Sequence, residues 1–517
     1  MEYKSPLHKL VNFFKESRDK WKEKYQEARR EIKSLKNKQY YREKKYRQQE
    51  ERMRDLEKEN KELKESLAQK DREKQETQET QEQQVGLTES FHQTAPNHHY
   101  SIGLIQLFLL LVFESSLHLR ASARSLPMIL NQIFPGIDAA VHWTSVRSWA
   151  MRVGYYELTR PKEKADDDWV LIFDHNIQLG SEKCFVIVGF RLSTYEKDRG
   201  ALQHRDLSLI DLEIVDHSDG SVVYEQIQRA VEKTGMPRAL IHDHGSDLHA
   251  GVKKFQECHP EVASFYDIKH KTASEIKKIL KKDPDWEGFL KIAQSIKSKL
   301  QQTNQAHLSP PKLRQKSRYM NLNTRVSWAK QMLDLLDRAD ASEKEALERS
   351  IGELTAYQEP IARWSETLKI TDTVERFSRQ NWLSRESASQ LAKKLNELGE
   401  IQYEENKKLK DHLVDFIEVQ ARQCRENEYL PNSSEVLESL FGKQKYLADT
   451  HANQGFGGLV LTFGAMVSDL TTDFIKKALE SVPVKAVIEF KDRFPNPSLQ
   501  AKKKALTVDL KKEQKLT

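Results

Sequence analysis

WVLIFD, residues 169–174, is where the periodicity of the chain changes. Five apolar positions in a row, with no polar residue between them, predict a strand buried on both faces at the centre of a sheet. The run is expected to end at Asp174. Beyond polar turns, CFVIVGF (184–190) and LSLIDLEIV (207–215) predict two more strands, and a helix follows over 222–234. After Gly235 and Pro237, RALIH (238–242) predicts a fourth strand that stops at Asp243. HGSDLHAGVKKF (244–255) opens a helix, and VASFY (262–266) predicts a fifth strand that stops at Asp267. Three strands, then helix, strand, helix and strand, imply an antiparallel meander extended by two helical crossovers. In that arrangement the first and fourth strands are central neighbours.

Working upstream, residues 101–158 predict a compact helical unit. It holds an apolar helix from Ile102 to Leu119, a second from Ala121 to Phe134, a turn with Pro135 and Gly136, and a last helix from Thr144. There Val146, Trp149 and Val153 recur at i, i+3 and i+7 and face inward. Arg147, Ser148, Met151 and Arg152 are expected to face out, and Gly154 to end the helix. A short helix with outward arginines after a tight turn is how a helix-turn-helix presents a reader to the DNA major groove, although any small three-helix unit shares the pattern. Further upstream, one heptad register holds from about 20 to 70. Its a and d positions include Ile32, Leu35, Met53, Leu56, Leu63 and Leu67, with Asn60 at an a position, and it predicts a coiled coil that joins protomers. Residues 71–98 read as a polar linker.

Downstream, the chain from about 271 to 430 is helical and highly charged, an insertion outside the sheet. Its segment PPKLRQKSRYMNLNTRVSWAKQM (310–332) interleaves Arg314, Lys316, Arg318, Tyr319, Arg325 and Trp328, a mixture that suits a nucleic-acid surface. A helix with Trp328 in its core and solvated basic residues is the alternative. Residues beyond 496 form a Lys-rich tail.

The 517 residues are too many for one core, so several domains are expected. The net charge of +6 is unevenly placed, since residues 1–50 carry 16 Lys and Arg against 8 Asp and Glu. That basic arm points to a polyanionic partner. Cys184, Cys258 and Cys424 are too scattered for a disulfide framework or a zinc spacing and fit a reducing compartment. The apolar run Leu104 to Phe113 is too short to span a bilayer.

SSEVLESLFGKQK (433–445) predicts one more helix, with Asn432 as N-cap and Glu435 closing a capping box. Glu438 follows one turn in, then Leu440 and Phe441 as anchors and Lys443 and Lys445 as cations. Asp174, Asp243 and Glu438 thus stand at the ends of elements that the strand order brings together. Three hard oxygen donors round one cleft suit two Mg²⁺ or Mn²⁺ ions about 3.5–4 Å apart. Asp247 and Asp267 are rivals for the second acid and Glu435 for the third. His242, His244 and His249 raise the alternative of a zinc site.

The order of these elements, with LIFDHNIQLG at the first acid, LIHDHGSDLHAG at the second, YDIKHKTA after the fifth strand and SSEVLESLFGKQK at the third, resembles the DDE transposases of insertion sequences. The resemblance covers about 100 to 450, and the placement of the insertion is similar to that of hAT-type members. It implies an α/β fold: an RNase H-like mixed sheet core with a large all-helical insertion, preceded by a helix-turn-helix domain and a coiled coil. The expected boundaries are 1–70 arm and coiled coil, 71–100 linker, 101–160 helix-turn-helix, 165–275 and 431–495 catalytic core, 276–430 insertion and 496–517 tail. It further implies that Asp174, Asp243 and Glu438 ligate the metal ions. Lys443 or Lys445 would hold a DNA phosphate, His270 and Lys271 would line the cleft, and Arg147, Ser148, Arg152, Arg314, Lys316, Arg318 and Arg325 would contact DNA. The implied activity is cleavage of transposon ends and joining of the 3′-hydroxyls to target DNA by a homodimer or higher oligomer in the bacterial cytoplasm, at the nucleoid. A binding protein without catalysis and a nuclease that cuts without joining are the alternatives.

Overall fold

The computed structural model describes residues 90–133, 140–179, 182–195, 201–312, 323–449 and 459–493, with five single positions between Glu16 and Lys24. The expected coiled coil, most of the linker and the tail lie outside the described residues. From Thr88 onward the chain is one compact unit.

Its centre is a five-stranded mixed sheet in the order β3-β2-β1-β4-β5. Strands β1 (Trp169–Leu179), β2 (Glu182–Arg191) and β3 (Ser208–Val215) form the antiparallel meander. The short β4 (Ala239–His242) and β5 (Ala263–Tyr266) add in parallel through crossover helices α4 (Gly220–Thr234) and α5 (Ser246–Cys258). The apolar run at 169–173 is buried on both faces, as its composition requires. Val170 and Ile172 join one core, and Trp169, Leu171 and Phe173 join another under α4 and α5. One expectation needs correction. β1 does not stop at Asp174 but continues to Leu179, because the hairpin with β2 keeps supplying backbone partners after β4 has ended.

Before the sheet come α1 (Ile102–Phe113), α2 (Leu119–Ile133) and α3 (Trp143–Thr159). They are not a separate domain, since their apolar residues share a core with the sheet and with the last helices, α14 (Thr462–Val467), α15 (Thr472–Ser481) and α16 (Val484–Asp492). Helix α3 corrects the sequence reading twice. Gly154 does not end it; the helix runs on to Thr159, and Gly154 marks its crossing with α14. A Cβ there would lie 1.7 Å from the carbonyl oxygen of Leu461, so only glycine permits this approach. Met151 and Arg152 do not face out either, since both are buried. The guanidinium of Arg152 donates through Nε to the Val482 carbonyl (2.6 Å) and through Nη2 to that of Leu479 (2.5 Å), where α15 ends. Within the expected linker, residues 90–98 pack on this unit: Ile102 donates to the Gln93 carbonyl and Ser90 lies against Gly103.

After β5 the insertion runs through α6 (Ile268–Lys282), α7 (Pro284–Leu300), α8 (Asn323–Arg338), α9 (Ala341–Ile351), α10 (Gln358–Gln380), α11 (Ser387–Asn396) and α12 (Glu404–Ala421). Its distal half has a core of its own, around Trp286, Phe289, Trp328 and Trp364. Its proximal half, α11 and α12, shares the core of the sheet. Helix α12 also closes the open edge of β5. Gln423 accepts from the Ser264 N–H (2.8 Å) and donates to the Ser264 carbonyl (2.9 Å), and Gln420 accepts from the Tyr266 N–H (3.0 Å). Side-chain amides thus take the place of a sixth strand. Helix α13 (Glu435–Asp449) then returns to the sheet, with Leu440 and Phe441 buried.

Candidate active site

Parallel pairing places Phe173 of β1 opposite His242 of β4, so Asp174 and Asp243 follow one residue later on neighbouring strands. Asp174 alternates with Val170 and Ile172 and therefore shares their face of the sheet. Its Oδ1 accepts from the His175 N–H (2.6 Å), while Asp243 Oδ1 accepts from the Gly245 N–H (3.0 Å). Burial and then the charge of Asp243 push the Asp174 carboxyl up to about 7. Glu438 adds to this, while the His175 N–H and His270 oppose it.

Glu438 comes from the first turn of α13. Its Oε2 is 2.8 Å from Lys269 Nζ and its Oε1 is 3.8 Å from His270 Nδ1. Both cations stand on the first turn of α6, directly after β5. Asp267 sets this arrangement. Fully buried at the end of β5, it accepts from the N–H (2.8 Å) and Nδ1 (3.1 Å) of His270 through Oδ1, and from the N–H (2.5 Å) and Oγ (2.9 Å) of Ser434 through Oδ2. One carboxylate thereby joins the start of α6 to the start of α13. Burial alone would raise Asp267, but His270 and Ser434 hold it below the usual range. Burial opposes the charge of His270, yet Asp267, Asp243 and Glu438 raise it to about 9.

The rivals take structural places. Asp247 lies in the first turn of α5, 3.1 Å from Lys183 and 3.8 Å from His175 Nδ1. Asn432 is not the N-cap of α13 and Glu435 closes no capping box, because the helix starts two residues later than expected. The Leu437 and Glu438 N–H groups donate to the Ser434 carbonyl, and Glu435 pairs instead with Arg379 at 2.9 Å. His242, His244 and His249 do not form a metal-binding group: His242 and His244 stack, and His249 lies tilted against them at 6.4 and 4.3 Å. The His242 ring lies 5.6 Å from Phe173 and 5.3 Å from His244, and His244 lies 3.9 Å from Tyr266. Burial keeps His242 and His244 neutral, down to about 4.

Among the described residues, no group of three or more His, Cys, Asp or Glu side chains is gathered closely enough to hold a metal ion. Asp174 and Asp243 fit a hard cation as an anionic pair on adjacent strands. Glu438 is turned toward Lys269, which the sequence reading had not singled out. Its only signal was its place after a strand-ending acid.

The remaining expected residues fall as follows. Lys445 is exposed seven residues after Glu438, hence on the same face of α13. Lys443 is half-buried and donates to the Phe113 carbonyl (3.3 Å), away from that face. Lys271 pairs with Glu275 at 2.8 Å. Arg147 lies over the Trp143 ring, and Ser148 is half-buried. Arg325 is not on a solvated surface; it is buried, with Nη2 donating to the Pro311 carbonyl at 3.0 Å, because its helix packs that face into the insertion core. Arg314, Lys316, Arg318 and Tyr319 lie outside the described residues.

No family model matches the chain, and no curated protein matches it. Among solved structures it is similar to the Drosophila P element transposase strand transfer complex, with 10% identity, 82% of this chain and 98% of that chain covered, and a TM-score of 0.34. No helix among the described residues is long and apolar enough to cross a membrane.

Proposed function

We propose that the chain is a DNA transposase with an RNase H-like core, which hydrolyses phosphodiesters at transposon ends and joins the 3′-hydroxyls to target DNA. The observation that carries this reading is the register-matched pair Asp174 and Asp243, with Glu438 nearby on α13 and Asp174 raised to about 7 by burial and then by the charge of Asp243. Such a pair is unfavourable without a counter-charge and favourable with a divalent cation, Mg²⁺ or Mn²⁺. When bound, the ions supply activation of the attacking oxygen and stabilisation of the leaving one. The chain's own groups orient these events. Asp174 and Asp243 hold the cation side of the scissile phosphate. Lys269 and His270 hold Glu438 beside this pair, where it would be available to a bound cation, and Lys445 offers a positive charge to the DNA backbone along the same face. Arg147 and Ser148 remain as DNA contacts beside this unit. The heptads at 20–70 would join two protomers, as pairing two ends requires.

The test is a duplex carrying the element's terminal sequence, incubated with Mg²⁺ and a target plasmid. Nicked and joined products are expected from the wild type. Asp174→Asn should lose both by at least about 10³-fold while still binding the duplex. Cleavage without joining would reduce the reading to a nuclease. Wild-type binding without any cleavage would establish a binding protein instead.

A further inference from the structure

Outside the catalytic face, the described structure contains a cationic cleft of about 480 Å³ along the outer edge of β3. It is built from four directions. Arg160 follows the last turn of α3, Lys162 and Lys164 lie on the connector to β1, Lys233 comes from the last turn of α4, and Arg493 follows α16. Asp211 of β3 is the one carboxylate in the lining.

The two neighbouring acids are already committed. Glu157 is shared between Arg160 and Lys162, whose Nζ is 2.6 Å from Glu157 Oε1 and donates also to the Glu157 carbonyl (2.6 Å). Asp211 is shared between Lys233 (2.8 Å) and Arg229 (3.5 Å). Lys164 and Arg493 are exposed, and neither side chain has an ion pair or hydrogen bond among the described residues. Lys162 is a buried part of the wall, with 2% of its side chain exposed. Burial brings it down to about 8 against the pull of Glu157, and Arg160 and Lys233 add to the lowering. The cleft therefore holds more positive charge than its own acids neutralise, partly in a wall that cannot turn away to solvent. Arg or Lys converging on one concavity from separate elements suits phosphodiester oxygens.

The position gives the ligand a route. Leu212 of the lining pairs with Val186, and Val186 with Asp174, so the cleft lies level with the catalytic row but two strands across. Two strand spacings are about 10 Å, within the reach of a few nucleotides.

We propose that this cleft binds the sugar-phosphate backbone of DNA beyond the segment held at Asp174 and Asp243, as a sequence-independent second contact. It rests on the transposase reading for its ligand, but not on the chemistry of the acids.

The test is the salt dependence of binding to a duplex of arbitrary sequence, with the full chain and the double variant Lys164→Glu, Arg493→Glu. Both positions are exposed, so unchanged thermal melting is expected, and Lys164→Gln, Arg493→Gln serves if it is not. Losing two phosphate contacts should lower the slope of log K against log salt by about 1.8, and weaken binding at 0.1 M salt about 60-fold. The control Lys393→Glu, Lys408→Glu makes the same charge change at exposed positions of the insertion and should leave the slope within about 0.5. An unchanged slope in the cleft variant, or an equal change in the control, overturns this inference alone. A wild type that binds no duplex overturns the transposase reading as well.

Discussion

Replacing Asp174 by Asn should stabilise the protein while abolishing the proposed cleavage. The carboxyl is held at about 7 in the folded chain against an ordinary value of 3.8. Its pKa is raised on folding, so the folded state binds this proton more tightly than the unfolded one. Stability is then fully present below pH 3.8 and is lost as pH rises toward 7. A gap of about three pH units corresponds to roughly 4 kcal/mol above neutrality. Asn keeps the acceptor used by the His175 N–H and removes the charge beside Asp243. For a unit of this size the gain corresponds to about 5 °C in melting temperature at pH 8. It should shrink to roughly 1.6 kcal/mol at pH 5 and to about 0.5 kcal/mol at pH 4. Melting of wild type and Asp174→Asn in EDTA across pH 4 to 8 measures this. A variant no more stable than wild type at pH 8 would refute the reasoning, as would an advantage that does not change with pH.

Two further outcomes concern the frame of the site. Gly154→Ala should cost at least about 3 kcal/mol, read as a lowered urea midpoint, because the new methyl meets the Leu461 carbonyl and α3 and α14 must separate. At the start of α13, Ser434→Ala should cost about 1.5–3 kcal/mol by removing a donor from buried Asp267, whereas Glu435→Gln, which loses only a half-exposed pair with Arg379, should stay within about 0.5 kcal/mol. The reverse order would restore the capping box that the sequence pattern suggests.

The contrast at Ser434 and Glu435 shows where sequence patterns carry and where they stop. The strands around 169–173 and 238–242 were legible because continuous apolar runs have few other uses, and the polar residue that ends each run stands out. The strand order followed from the alternation of elements. What local pattern could not supply was the identity of distant partners. Arg152 looked like an outward-facing cation because nothing near it shows that carbonyls at Leu479 and Val482 wait more than 300 residues away. Gly154 looked like a helix stop because its partner lies at 461–464. Asn432 fits the cap pattern as well as Ser434 does, and only Asp267 decides between them. Lys269 had no distinguishing pattern at all, and its role comes from α13 returning across the start of α6.

The glutamine pair at the end of α12 has a consequence for the order of events during synthesis. Asp174 and Asp243 leave the ribosome early, but the strand beside them keeps open amide groups until residues 420 and 423 arrive. Glu438 follows only 15 residues after Gln423. A nascent chain of this protein therefore holds an unfinished sheet for the whole length of the insertion. It closes that sheet and brings in Glu438 almost at the same moment, so a truncated copy would expose a sticky edge while still lacking its third acid.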